Sequence, residues 1–256
     1  MARIDFTMEK SVDVHIAALY RQNFVVETVK SVLANPEVKT ITVIANKHTD
    51  EEFENCKNGL LQANTLTQIP IFLHRGDNAK ESNEKLRYIG KGDGKYISFV
   101  DNDLLLAPTH FEYLIQGCEK YNAYVSLHGV ILDEIPLGSY YRDRQVFRGL
   151  KTVDFDVQVD ISSNCGSLFK RGFFGNEYLR ELYDYAPTVS MDDIIMGTCC
   201  KLNQIRCWVL KHQEGFLRHK VQYAEDDYVF NKYALTGNDS VQTAYINKYW
   251  DVFKKL

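Results

Sequence analysis

Long apolar runs are missing from this sequence: none approaches the roughly 18 consecutive apolar residues of a membrane span. The opening MARIDFTMEKSVDV also lacks the basic-then-apolar pattern of a secretory signal. Paired cysteines are missing as well. Cys56, Cys118, Cys165, Cys199, Cys200 and Cys207 show no CxxC pair and no zinc-ribbon spacing, which implies free, mostly buried thiols rather than a disulfide scaffold. There is no surplus of positive charge: 30 Lys and Arg stand against 34 Asp and Glu, a net charge of −4. That disfavours nucleic acid as a partner held mainly through its phosphates. No internal repeat, low-complexity tract or long linker breaks the 256 residues. What is present is a 45% hydrophobic content, enough for a packed core. The expectation is a soluble, globular, cytoplasmic protein.

Strand and helix signals alternate through the first half. Val12–Leu19 (VDVHIAAL) and Thr40–Ala45 (TITVIA) have the continuous apolar character of strands buried on both faces. Between them Val25, Val29, Val32 and Leu33 share one helical face, and Asn35-Pro36 ends the helix. Thr49-Asp50 caps a second helix running to about Ala63. Short strands follow at Ile69–Leu73, Tyr96–Val100 and Ala123–Leu127, with a helix from Thr109 to about Tyr121. Residues 132–151 lose the pattern in an arginine-rich stretch. Helices return near Asn176–Tyr185 and Met191–Leu202, and a strand at Cys207–Leu210. This alternation implies βαβ units, a mostly parallel sheet, and a ligand site beyond the carboxyl ends of its strands.

Asp101-Asn102-Asp103 follows the strand YISFV directly and precedes three leucines. Two carboxylates at i and i+2 on a strand end are hard oxygen donors suited to Mg2+ or Mn2+. A polar turn would use the same residue types. Two enzyme families place such a triplet at a strand end. Haloacid-dehalogenase-like phosphotransferases carry it on the first strand, whereas here about a hundred residues come first. Nucleotide-sugar glycosyltransferases of the GT-A fold carry it after a nucleotide-binding half.

GKYISFVDND resembles the segment that closes the nucleotide-binding half of glycosyltransferase family 2. VDVHIAALYRQNFVVETVKSVLANP is similar to that family's opening strand and helix, and TITVIANKHTDE to its second strand. ISSNCGSLFKR and SMDDIIMGTCCKLNQIRCWVL resemble its later segments. The resemblance implies a GT-A α/β fold, a mostly parallel sheet flanked by helices. Residues 11–106 would bind the donor, 107–220 the acceptor, and 221–256 would form a helical tail. It implies a sugar transferred with inversion from a nucleotide diphosphate, UDP being expected, to a glycan or lipid-linked glycan. A phosphatase with Asp101 as nucleophile and a non-catalytic nucleotide-sugar binder are the alternatives.

The resemblance places Asp101, Asn102 and Asp103 at the donor diphosphate and the metal, with Ala18 and Tyr20 at the end of the first strand. Asn46 stands where the family commonly has an aspartate facing the nucleobase. Arg75, Lys80 and Asn83 are offered for base or diphosphate contacts. Asp193, or Asp192 beside it, would take the acceptor's proton. Ser190 and Asp193 equally fit a capping box. His219, in KHQEGFLRHK, is the chosen late metal ligand, with His212 nearby. Val241, Tyr245, Tyr249 and Phe253 recur at four-residue steps, as in a helix packed on the core or lying on the inner face of a membrane.

Overall fold

The computed structural model describes residues 10–19, 22–65, 67–219, 237 and 239–249. Tyr20, Lys220, Trp250 and Phe253 lie outside them. The first half runs β1 (Val12–Leu19), α1 (Gln22–Leu33), β2 (Val38–Asn46), α2 (Asp50–Ala63) and β3 (Ile71–Gly76). A 3-10 helix at Glu81–Tyr88 then leads to β4 (Tyr96–Phe99). Next come β5 (Leu104–Leu106), α3 (His110–Tyr121), β6 (Tyr124–Ser126), β7 (Gly129–Leu132) and β8 (Arg144–Phe147). The chain continues through β9 (Val157–Val159), β10 (Ile161–Ser162), β11 (Phe169–Lys170), α4 (Asn176–Tyr185) and α5 (Asp192–Leu202). It closes with β12 (Cys207–Val209), β13 (Leu217–His219) and α6 (Ser240–Lys248).

The central sheet has the order β11-β4-β1-β2-β3. Four of its strands, β4, β1, β2 and β3, are parallel, and the edge strand β11 is antiparallel. This is the mixed α/β arrangement with a parallel-rich sheet that the alternating pattern implied. The chain steps outward from β1 to β3, then returns to place β4 on the other side of β1. Such a reversal opens a crevice at the carboxyl ends of the two strands that flank it. Here those ends are Leu19 and the segment after Phe99.

β4 is the wall between two hydrophobic cores. Tyr96 and Val100 pack with β1, β2, α1 and α3, while Ile97 and Phe99 pack with α4, α5 and the β7–β8 region. The two-residue alternation of a strand produces this division. The amino-terminal end of the sheet is closed by Asp13. Its carboxylate accepts from Thr40 Oγ1 at 2.6 Å, Gly94 N at 2.8 Å and Arg171 Nη2 at 2.7 Å. In α1, Val25, Val29 and Val32 are wholly buried, as their spacing required. Thr49 and Glu52 form a complete capping box on α2, a feature worth about 1 kcal/mol.

Three differences from the sequence reading have physical causes. β3 starts two residues later than expected, because Ile69 is held by the Asn64 side chain through both its N–H and its C=O. The patternless stretch 132–151 contains β8, which pairs with β7 in a hairpin. Its sequence RQVF has only two apolar residues, so no alternation was visible. In α6 the buried positions are Gln242, Thr243 and Ile246, while Val241 is 44% exposed. Tyr245 and Tyr249 do pack against the second core. No described helix is long and apolar enough to cross a membrane.

Candidate active site

The acidic triplet sits at the crevice. Val100 N donates to His15 O at 3.1 Å, extending β4 alongside β1, and Asp101 follows. Thr28 Oγ1 donates to Asn102 O at 2.8 Å and fastens the turn to α1. β5 then pairs antiparallel with β13, setting His219 opposite Leu104. That register brings His219 Nδ1 to 4.0 Å from Asp103 Oδ2. Asp103 Oδ1 is buried with no hydrogen-bond partner. Asp101, its side chain 39% exposed, accepts at Oδ1 from Lys85 Nζ. Burial first, then the charges of Asp103 and Asp192, push its carboxyl above the usual range against the pull of Lys85.

The second acidic pair opens α5, and its two members differ. Asp192, nearly buried, accepts from Lys85 Nζ at 3.1 Å, Asn164 Nδ2 at 2.9 Å and Ser82 Oγ. Its acceptor sites are taken by the fold. Asp193 is half-buried and, among the described residues, accepts only from Ile194 N at 2.9 Å. Burial, with the charge of Asp192 adding to it, pushes Asp193 up to about 6, while Arg144 pulls the other way. The capping box expected from Ser190 and Asp193 does not form. Ser190 donates through both N and Oγ to Glu81 Oε2, and no side chain caps α5.

Lys85 joins the two acidic motifs. Burial disfavours its ammonium, but Asp101 and Asp192 on either side outweigh that and hold it above the ordinary lysine range. The segment Ser162–Leu168 forms the floor beneath them. Gly166 N and Ser167 N donate to Phe99 O, and Tyr124 OH holds Asn164 and Ser167. Gly166 has φ +70°, and a Cβ there would lie 3.1 Å from His110 Nε2, so the position suits glycine alone.

Several expected ligand contacts are corrected. Asn83 is wholly buried, donates to Pro187 O and Val189 O at 2.8 Å each, and accepts from Met191 N. It locks the 3-10 helix to the segment before α5. Lys80 Nζ is likewise tied to the carbonyls of Tyr183 and Asp184 at the end of α4. Arg75 turns to α2, pairing with Asp50 at 2.9 Å and lying 4.1 Å from the Phe53 ring centroid. Ala18 lies wholly within the first core, so its methyl contacts only protein. Asn46 is 1% exposed at the carboxyl end of β2, where its Oδ1 faces Gly76 of β3 and has no hydrogen-bond partner. Tyr20 lies outside the described residues.

Ser82, Lys85 and Asn164 were not singled out from sequence. Asn164 stood within a quoted motif. Ser82 and Lys85 lay in the polar run KESNEKLR, where a buried lysine has no local signature. Asp101, Asp103 and His219 offer two carboxylates and an imidazole, a donor set compatible with Mn2+ or Mg2+, and the unpartnered Asp103 Oδ1 fits such an ion. Among the described residues no group of three His, Cys, Asp or Glu is already gathered to metal-binding distance. Lys85 neutralises Asp101 in its place.

The family model described as Glycosyl transferase family 2 matches residues 13–176. No curated protein matches the sequence. Among solved structures, the mannosyltransferase PcManGT from Pyrobaculum calidifontis, in complex with GDP-Man and Mn2+, is similar at a TM-score of 0.50 and 14% identity, over 81% of this chain and 56% of that one. S. aureus TarS 1–349, in complex with UDP, has a TM-score of 0.46 and 12% identity, over 79% of this chain and 58% of that one. This chain therefore spans little more than half the length of either.

Proposed function

Because this chain belongs to glycosyl transferase family 2, we propose that it transfers a sugar from a nucleotide diphosphate donor to an acceptor hydroxyl in the crevice beyond β1 and β4. The observation that carries the proposal is the meeting of the two acidic motifs there, linked through Lys85. Asp193 takes the proton of the acceptor hydroxyl while the acceptor oxygen bonds to the anomeric carbon from the face opposite the leaving diphosphate. The sugar is thereby inverted. Its pKa of about 6 suits this work, ionised at neutral pH yet more basic than an ordinary aspartate. Asp192 is a positioning residue whose acceptor sites are already occupied.

Asp101, Asp103 and His219 would hold Mn2+ or Mg2+, and Asn102 lies between the two carboxylates. Such an ion supplies charge neutralisation for the departing diphosphate. The Mn2+ held by the similar mannosyltransferase is in keeping with this. Asn46 Oδ1, buried and unpartnered, is suited to accept an N–H from the nucleobase edge, and the imide of uracil offers one. Guanine offers an N–H as well, so thermal shift separates the UDP-sugar proposed as the donor from a GDP-sugar; the acceptor is a glycan or lipid-linked glycan. Family membership sets aside the phosphatase reading.

Thermal shift with UDP and GDP, each with and without Mn2+, tests the donor side. A ligand at a hundred times its Kd adds about 2.7 kcal/mol to stability. UDP with Mn2+ is expected to raise Tm more than UDP alone or GDP with Mn2+. Equal shifts with and without metal would contradict the metal site, and a larger shift with GDP would contradict the choice of base. Nucleotide binding without transfer to any acceptor would leave a binding module.

A further inference from the structure

The β7–β8 hairpin carries charge that the chemistry above does not use. Arg142, Arg144 and Arg148 lie on or beside β8, and none pairs with a carboxylate among the described residues. In a chain of net charge −4, three adjacent arginines without acidic partners stand out. Arg142 and Arg148 are exposed, whereas Arg144 is half-buried. The Arg144 guanidinium carbon lies 4.2 Å from the Tyr140 ring centroid and 4.6 Å from that of Tyr141. Arg144 Nε and the Tyr140 hydroxyl are both buried and interact with each other, and neither bonds to a further described residue. Tyr140 is only 2% exposed, so its hydroxyl backs the guanidinium from the protein side.

The support beneath these side chains is rigid. Tyr140 N donates to Thr243 Oγ1 at 2.9 Å, and Ser139 Oγ and Tyr141 N donate to Asp239 Oδ2 at 2.6 and 3.1 Å. Residues 139–141 are thereby clamped to the start of α6. α6 in turn holds the segment that opens α5, because Gln242 Nε2 donates to Ser190 O at 3.1 Å. The charge of Arg144 draws the Asp193 carboxyl down, and the charge of Asp193 adds to burial in pushing the Tyr140 hydroxyl up. His128, between β6 and β7, is pushed down to about 4 by burial first and then by Arg144 and Arg148. Arg144 and Arg148 thus both act on His128, and Arg144 acts on Asp193 as well.

A guanidinium presents planar paired donors that match a carboxylate or phosphate, and burial makes an unmatched pair of donors costly. The described residues supply no anion at hydrogen-bond distance from Arg144. On the glycosyltransferase reading, the geometry points to Arg144 and Tyr140 as the acceptor subsite, for a sugar that bears a carboxylate or phosphate near its attacking hydroxyl. The anion would bind the exposed part of the guanidinium, which the rings of Tyr140 and Tyr141 hold in place. The attacking hydroxyl is thereby brought toward Asp193.

Isothermal titration with matched pairs tests this: methyl glucoside against methyl glucuronide, and glucose against glucose 6-phosphate. Each is titrated into wild type, Arg144→Gln and Arg144→Lys, with and without UDP and Mn2+. The charged member of at least one pair is expected to bind wild type about tenfold or more tighter than its neutral partner. Arg144→Gln loses that preference and Arg144→Lys keeps part of it, while UDP affinity stays within about twofold in all three. The pair that responds distinguishes carboxylate from phosphate. Equal affinity within both pairs, no binding of either, or a preference surviving in Arg144→Gln would overturn the subsite. A fall in UDP affinity in Arg144→Gln would also overturn it, by moving Arg144 to the donor side. If Arg144→Gln fails to fold, Arg144→Met takes its place: loss of the preference supports the subsite and its survival overturns it. Failure of wild type to bind any nucleotide with either metal would instead remove the underlying reading, and the metal-free, UDP-free titrations keep the two failures apart.

Discussion

Asp13 at the amino-terminal end of the central sheet and the acidic groups beyond its carboxyl end are treated in opposite ways. At the amino-terminal end Asp13 is 1% exposed and is matched by Thr40, Gly94 and Arg171. At the carboxyl end, among the described residues, Asp103 Oδ1 and Asn46 Oδ1 are buried without partners, and Asp193 accepts only from the backbone beside it. A folded chain rarely leaves buried polar atoms unmatched, because each costs about 1–3 kcal/mol. Unmatched atoms also occur at the amino-terminal end, where both carboxylate oxygens of Glu37, just before β2, are buried without a partner; the carboxyl end differs in placing its unmatched Asp103 and Asn46 atoms around the crevice. The same contrast separates Asp192, held by three donors, from Asp193 one residue on.

The sharpest break in that contrast is Asp193→Asn. Transfer per folded molecule should fall about 10²- to 10⁴-fold, since the acceptor proton loses its base. Nucleotide affinity should not change. At pH 7 the variant should melt no lower than wild type, because the substitution removes a carboxylate that burial disfavours. Transfer at the wild-type rate would return Asp193 to a merely structural position.

Arg171→Met should do the reverse. Removing one partner of the buried Asp13–Arg171 pair, 2.7 Å apart, leaves Asp13 short of a donor and should cost about 3–5 kcal/mol in chemical denaturation. The folded fraction should still bind UDP as wild type does. A variant that keeps its stability but loses nucleotide affinity would erase the distinction between the two ends.

A smaller effect concerns pH. Asp193 must be ionised to act, so kcat/KM for the acceptor should fall about tenfold per unit below pH 6 and level off above it. The sign for stability is opposite. With its folded pKa raised to about 6 from an unfolded value near 4, Asp193 favours the fold fully at low pH, and that contribution is lost as pH rises through about 6. Asp193→Asn should remove this part of the pH dependence of Tm. An unchanged pH profile of Tm in the variant would place the titration on another group.

How much was legible in the sequence follows the same division. Parallel strands covered on both faces are continuous apolar runs, so β1, β2 and β4 were readable, as were the Thr49 cap and the valine face of α1. Asp101, Asp103, His219 and the Asp192–Asp193 pair were found because their residue types are few and stand at element ends. Lys85 was not found, because its carboxylate partners are 16 and 107 residues away and its neighbours are polar. For the same reason Asn83 passed for a ligand contact when it is a fully buried brace between the 3-10 helix and the start of α5. Polar residues in irregular segments take their meaning from tertiary partners, and a sequence does not display those.

The account rests on the carboxyl end of β4 being a metal-linked nucleotide site. Titrating UDP into wild type and Asp103→Asn, each with and without Mn2+, tests this most directly. The account predicts that Mn2+ tightens UDP binding to wild type about tenfold or more, a charge-assisted interaction's worth. Asp103→Asn, folded by circular dichroism, should bind UDP equally with and without the ion. Metal-linked affinity that survives unchanged in the variant would contradict it.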